Sequence, residues 1–174
     1  MSVAQDFEIR VATEMDVPAI LGLIRELADY ERLLDHVTSP QAGAVVLFLG
    51  TTRRYEQLHH HTLIVGRDYE GFVRDVTVRR RLPSDLSLYL HAPSRTEPAM
   101  AAPGGESIYA LLPVPNLRSG TDWSVEGPRM RDRVVRHLEE SFGLEGLSSS
   151  IAVEHTFTPA DFASQLEAAE GNAF

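Results

Sequence analysis

The densest chemistry in the chain is a run of three histidines, His59, His60 and His61. On a strand, side chains alternate between faces, so His59 and His61 would share one. Two imidazoles on one face can begin a zinc site, with His91 as a distant third ligand. The simpler expectation, adopted here, is polar histidines along a strand edge that hold no metal. Glu139 and Glu140, with Glu126 and Asp132 nearby, offer carboxylates for acid–base work. Nothing in the pattern ties them to a pocket, and they read as a solvated helix face. Ser84 and Asp85 belong to no nucleophile motif, because no G-x-S-x-G occurs. Neither a G-x-G-x-x-G turn nor a phosphate-binding loop is present. Three large aromatics, Tyr89, Tyr109 and Trp123, can either pack a core or line an apolar ligand site.

Composition narrows the chemistry further. All 16 basic residues are arginine, which excludes a lysine Schiff base, a lysine general base and a phosphate-loop lysine. The chain has no cysteine, and so no disulfide or thiolate chemistry. A net charge of −9 argues against nucleic acid as a partner. Arginines concentrate at Arg79, Arg80 and Arg81 and at Arg129, Arg131, Arg133 and Arg136. They read as solvated faces, the alternative being a patch on anionic lipid, where each basic side chain contributes about 1 kcal/mol. With no apolar run long enough to span a bilayer and no signal-like start in MSVAQDFEIR, the expected location is cytoplasmic, with membrane-peripheral contact as the variant.

The elements that must position these residues follow from periodicity. Phe7 to Ala12 alternates as a strand does. Ile20, Leu23, Ile24, Leu27, Tyr30 and Leu34 recur at spacings of three and four, one stripe on a helix that Thr38, Ser39 and Pro40 end. Further strands are predicted at Ala44–Leu49, His61–Val65, Leu86–His91, Ile108–Val114 and Ile151–Phe157. Helices are predicted at Tyr69–Val76, from Pro128 to about Phe142, and from Pro159 toward Gly171. Ser94 to Gly105 reads as loop and Asn116 to Gly127 as irregular. Alternating helical and strand patterns predict an α/β or α+β fold, a mixed β-sheet with helices packed on at least one face. The composition shift near Ser39 marks one candidate boundary, between segments 1–38 and 39–174.

Longer strings carry resemblances. RRYEQLHHHTLIVG (Arg53 to Gly66), LSLYLHAPSRTEPAMAAPGG (Leu86 to Gly105), YALLPVPNLRSGTDWSVEGPRMRDRVVRHLEE (Tyr109 to Glu140) and FTPADFASQLEAAEGNAF (Phe157 to Phe174) resemble, in order and spacing, the middle of bacterial phytoene desaturases. The resemblance covers residues 51–174. It implies a carotenoid-pathway oxidoreductase that uses FAD, sits on membranes and acts on a long isoprenoid, and it places this stretch in the substrate-facing region. Tyr89, His91 and Trp123 become the candidate substrate-binding residues; the catalytic residues stay unassigned. The implied flavin segments lie outside the matched stretch, so no cofactor is expected from this chain itself. An apolar isoprenoid or a membrane surface is the expected partner.

Two shorter resemblances compete. FEIRVATEMDVPAILGLIRELADYERLLDHV (Phe7 to Val37) resembles the opening strand and helix of a GNAT-type acetyltransferase, although that family's [QR]-x-x-G-x-[GA] loop has no match here. AGAVVLFLGTTR (Ala42 to Arg53) resembles an entry strand of the large subunit of molybdopterin synthase, whose chemistry relies on lysine. Two alternatives to the desaturase reading follow: an acetyltransferase with a degenerate cofactor site, or a chimeric chain without activity.

Overall fold

The computed structural model describes residues 42–173. The chain divides into two units, Met1–Ser39 and Pro40–Phe174. All described residues belong to the second unit. The strand and helix expected within residues 7–37 lie outside them.

The apolar run after Ala42 forms β1, Ala42–Thr51, which is buried over most of its length because it has a neighbour on both sides. β2 is His61–Ile64 and β3 is Leu88–His91; with β4, Glu106–Pro115, and β5, Ile151–Phe157, the described residues form one five-stranded sheet in the order β2-β3-β4-β1-β5. Every pairing among the described residues is antiparallel, so the sheet they form is not the mixed one expected and the fold is α+β. Strand periodicity reveals which residues share a face but is blind to strand direction. The centre of the sheet rests on the ten-residue ladder between β1 and β4, from Ala42 opposite Pro115 to Thr51 opposite Glu106.

Helices cover one face. α1, Tyr69–Thr77, presses Phe72 and Val76 into the core, and α2, Trp123–Glu140, adds Met130, Val134, Val135 and Leu138. A short α3, Leu147–Ser150, contributes Leu147. They meet the inward side chains of the strands: Val45, Leu47 and Leu49 of β1, Leu88 and Leu90 of β3, Ile108, Ala110 and Leu112 of β4. α4, Pro159–Leu166, follows β5 and opens with a capping box. The Thr158 backbone N–H donates to the Asp161 carboxylate at 2.8 Å, and the Thr158 hydroxyl bonds the same carboxylate at 2.6 Å. It ends five residues before the expected Gly171, where Glu167 turns left-handed at φ 54°.

α2 begins at Trp123, not at Pro128 as the sequence suggests. Asp122 is the N-cap, its carboxylate accepting the Ser124 backbone N–H at 3.0 Å. Pro128 sits one and a half turns in, where it removes the donor for the Ser124 carbonyl. Ser124 is exposed, so that carbonyl can turn to water. Among the described residues no helix is long and apolar enough to cross a membrane.

Candidate functional site

The face of the sheet opposite α1, α2 and α3 holds the unusual chemistry. Directly paired residues of neighbouring strands project to the same side. The register therefore composes two rows that run across all five strands. One reads His61, His91, Tyr109, Phe48 and His155; the next reads Leu63, Tyr89, Leu111, Val46 and Phe157. At about 4.8 Å per strand each row spans roughly 19 Å, and the rows lie roughly 7 Å apart. A solvent-facing sheet side normally alternates to polar residues. This one keeps Phe48 46% and Leu63 76% exposed.

The rings touch in sequence across the sheet. His61 stacks on Tyr89 at 5.9 Å, Tyr89 meets Tyr109 edge-on at 6.2 Å, and Tyr109 meets Phe48 edge-on at 5.3 Å. Phe48 then faces His155 at 6.2 Å, and Phe157 meets Phe162 of α4 edge-on at 4.9 Å. Aromatic pairs of this kind contribute about 0.5–1.5 kcal/mol beyond burial. The rings are thus in mutual contact while Phe48 stays half exposed. Burial raises the Tyr109 phenol above its ordinary value, with Tyr89 adding to the effect, so Tyr109 stays neutral. Burial lowers His91, and the neighbouring His60 and His61 lower it further.

Two depressions shape the face. A groove of about 550 Å³ is bordered by Phe48, His91, Met100, Tyr109 and Val153. A second, of about 400 Å³, lies between Phe48, Tyr109, Phe157, Phe162 and Leu166. Both fall in the size range of small-molecule sites, and both are largely apolar. Gly50 keeps the first groove open on the β1 side: a side chain there would meet Val153 Cγ1 at 2.6 Å.

The rim of that groove comes from residues 92–105, of which Ser94 to Gly105 reads in the sequence as loop. They form two short 3-10 turns, Pro93–Arg95 and Pro98–Met100. A buried ion pair anchors them. The Glu106 carboxylate, fully buried, takes Arg95 at 3.0 Å, the Tyr55 backbone N–H at 3.4 Å and the Ser94 hydroxyl. Sequence reading passed over Arg95 and Glu106, because no periodicity signals a pair eleven residues apart on a turn and a strand.

Tyr89 and His91 therefore share the open face with Tyr109. Trp123 does not join them. It is 5% exposed on the helix side of the sheet, and it borders a separate cleft of about 700 Å³ with Arg131, Glu154, Thr156 and Thr158. Its indole N–H finds no partner among the described residues. The aromatic that was expected in the ligand site begins a helix behind it. The histidines also regroup. His59 is exposed ahead of β2, while His60, His61 and His91 bring one ring nitrogen each within 4.8 Å of one another. Alternation cannot pair His59 with His61, since the strand starts only at His61.

The arginine clusters are largely engaged. Arg79 and Arg81 hold Asp75 at 2.7 and 2.9 Å, and these hydrogen bonds lower the Asp75 carboxyl below its ordinary value. Arg129 pairs with Glu126 at 2.7 Å, Arg131 with Glu154, and Arg133 donates to the Pro83 and Ser84 carbonyls.

No family model matches the chain. It is, however, homologous to part of several phytoene desaturases. A lycopene-forming phytoene desaturase of Pseudescherichia vulneris is 37% identical over 172 residues, 91% of this chain and 35% of the relative. A lycopene-forming enzyme of Pantoea ananas is 42% identical over 130 residues, 74% of this chain and 26% of its own. A zeta-carotene-forming phytoene desaturase of Myxococcus xanthus is 37% identical over 155 residues, 83% and 30%. The chain spans about a third of the length of these relatives or less. The 91% match extends into residues 1–38, and nothing in the comparisons supports the acetyltransferase resemblance of residues 7–37.

Proposed function

We propose that the chain is the substrate-facing part of a phytoene desaturase-like protein of the carotenoid pathway, and that its open sheet face receives a long isoprenoid. The observation that carries this reading is the pair of rows of rings and aliphatic groups crossing all five strands. A polyene or its precursor has no polar group along most of its length, so its binding draws on apolar contact at about 25 cal/mol per Å². A ring-paved face and two apolar grooves supply that contact. Within this reading Tyr89 and His91 touch the ligand at the β3 side, and Trp123 supports the sheet from behind. Homologues named for forming lycopene and zeta-carotene favour the same class of ligand.

FAD, which the resemblance implies, does not fit the described residues. A dinucleotide pyrophosphate needs a helix N-terminus opened by a glycine-rich turn. The two longest described helices have theirs occupied by carboxylates: Asp68 accepts the Gly71 N–H at 2.9 Å and Asp122 accepts the Ser124 N–H at 3.0 Å. A negative side chain at that point repels a phosphate. No redox step is therefore derived for this chain.

Because the ligand resides in lipid, the test uses vesicles, and peripheral contact with a membrane belongs to the proposal. The full chain is mixed with vesicles carrying phytoene, separated from them, and assayed for extracted phytoene. Retention is expected for the native chain and loss for Phe48→Asp and Leu111→Asp. A folded Phe48→Asp variant that retains phytoene like the native chain rejects this reading.

A further inference from the structure

The β2–β3 register sets His61 directly opposite His91. His60 lies just ahead of β2, yet its backbone is fixed beside them, because its carbonyl accepts the Ala92 N–H at 2.9 Å. His61 and His91 stack at 5.2 Å with 21° between planes, and His60 meets both edge-on at 4.4 and 4.7 Å. The Nε2 atoms of His60 and His91 stand 3.1 Å apart. Tetrahedral zinc with nitrogen ligands at 2.0–2.1 Å requires its ligand atoms about 3.3 Å from each other. This pair therefore already has nearly the spacing an ion needs. His61 is exposed and can swing the remaining distance.

In two of the three imidazoles the nitrogen that would not bind an ion is already occupied. The Nδ1 of His60 is bonded to the Thr96 hydroxyl at 2.8 Å, and the Nδ1 of His61 to the Tyr89 hydroxyl at 2.8 Å. Such contacts to the far ring nitrogen are the usual outer support of a metal-bound imidazole, fixing the tautomer and turning Nε2 inward. Among the described residues no carboxylate joins the group. Three imidazoles without oxygen ligands suit zinc and its neighbours rather than magnesium or calcium.

We propose that His60, His61 and His91 form a zinc-class divalent metal site that pins the edge strand β2 and the turn at Thr96 to β3. Three protein ligands leave a fourth position for water. The site stands independently of the desaturase reading, since it rests only on these three side chains and their hydroxyl supports.

The test uses the full chain, stripped with a chelator and titrated with Zn²⁺ by calorimetry and with Co²⁺ by visible absorption. One equivalent per chain and the intense bands of tetrahedral cobalt are expected. His61→Ala, an exposed change that should leave the fold intact, and His91→Ala should each abolish the bands. His59→Ala, next door but outside the cluster, should leave them unchanged. Tyr89→Phe, which removes one outer support, should weaken binding by about tenfold or more. The proposal is overturned by a folded native chain that takes up no Zn²⁺, or by His61→Ala and His91→Ala binding as the native chain does. Equal losses in His59→Ala would also overturn it, because they would assign binding to a loose histidine run.

Discussion

At the scale of single residues, burial decides which side chains matter. Arg95 looks like any surface arginine in the sequence, yet it neutralises a carboxylate with no exposure. Removing one partner of a buried pair leaves an uncompensated charge, so Arg95→Ala should cost about 3 kcal/mol, read from the midpoint of urea unfolding. The exposed pair of Arg74 with Glu70, at 3.4 Å, should be worth a few tenths at most, about 0.3 kcal/mol for Arg74→Ala. His137 gives the chain a pH response. Burial lowers its pKa; Asp85 opposes the shift and Arg133 reinforces it. The unfolded chain therefore takes up a proton there more readily than the folded one. The stability linked to this group is whole above its ordinary value of about 6.5 and is lost as pH falls through its lower native value. A His137→Gln variant should show a shallower loss of stability over that range than the native chain, measured by urea unfolding at stepped pH.

At the scale of elements, what was legible and what was not divides along sequence distance. The runs of β1, β4 and β5 and the stripe Val134, Leu138, Phe142 were readable because each records its own burial within a few residues. The beginning of α2 was missed because Pro128 is a familiar first-turn residue, and Asp122, the true cap, lies in a stretch rich in Ser, Gly and Asp. α3, only four residues long, carries too little periodicity to register. The open face is legible only in part: Tyr89, Tyr109 and His91 stand out in the sequence, but Phe48 and Tyr109 are sixty-one positions apart, and only the ladder joins them. Tyr89 and His91 were found as candidates through the resemblance, and Trp123 with them, though the sheet separates it from the pair. The Asp122 cap offers a clean check on this account. Asp122→Ala should lower the urea midpoint of unfolding, whereas Pro128→Ala should not, since α2 neither starts at Pro128 nor uses its missing donor.

At the scale of the whole described unit, one sheet separates two environments. One face is a dry core, where Leu90 and Leu112 are fully buried and either change to alanine should cost about 2–5 kcal/mol in urea unfolding. The other is paved but open, so Phe48→Ala should lose little stability, about 1 kcal/mol, while lowering phytoene retention. This division of cost, stability on one side and binding on the other, is what the proposed binding of an apolar ligand requires. It also separates the two readings of the open face: a surface that served only as packing would lose both together.

The alternation along β1 has a consequence for how such a chain can change length. Leu47 serves the core and Phe48 the open face, and β4 and β5 clasp the strand from both sides. One residue inserted between Val45 and Leu49 would turn the rings inward and the leucines out, a reversal that no single substitution repairs. A two-residue insertion would preserve both faces and shift only the ends of the ladder. Relatives that differ in length within this strand should therefore differ by even steps, or carry their odd residue in a bulge such as the one already present at Gly50 and Thr51.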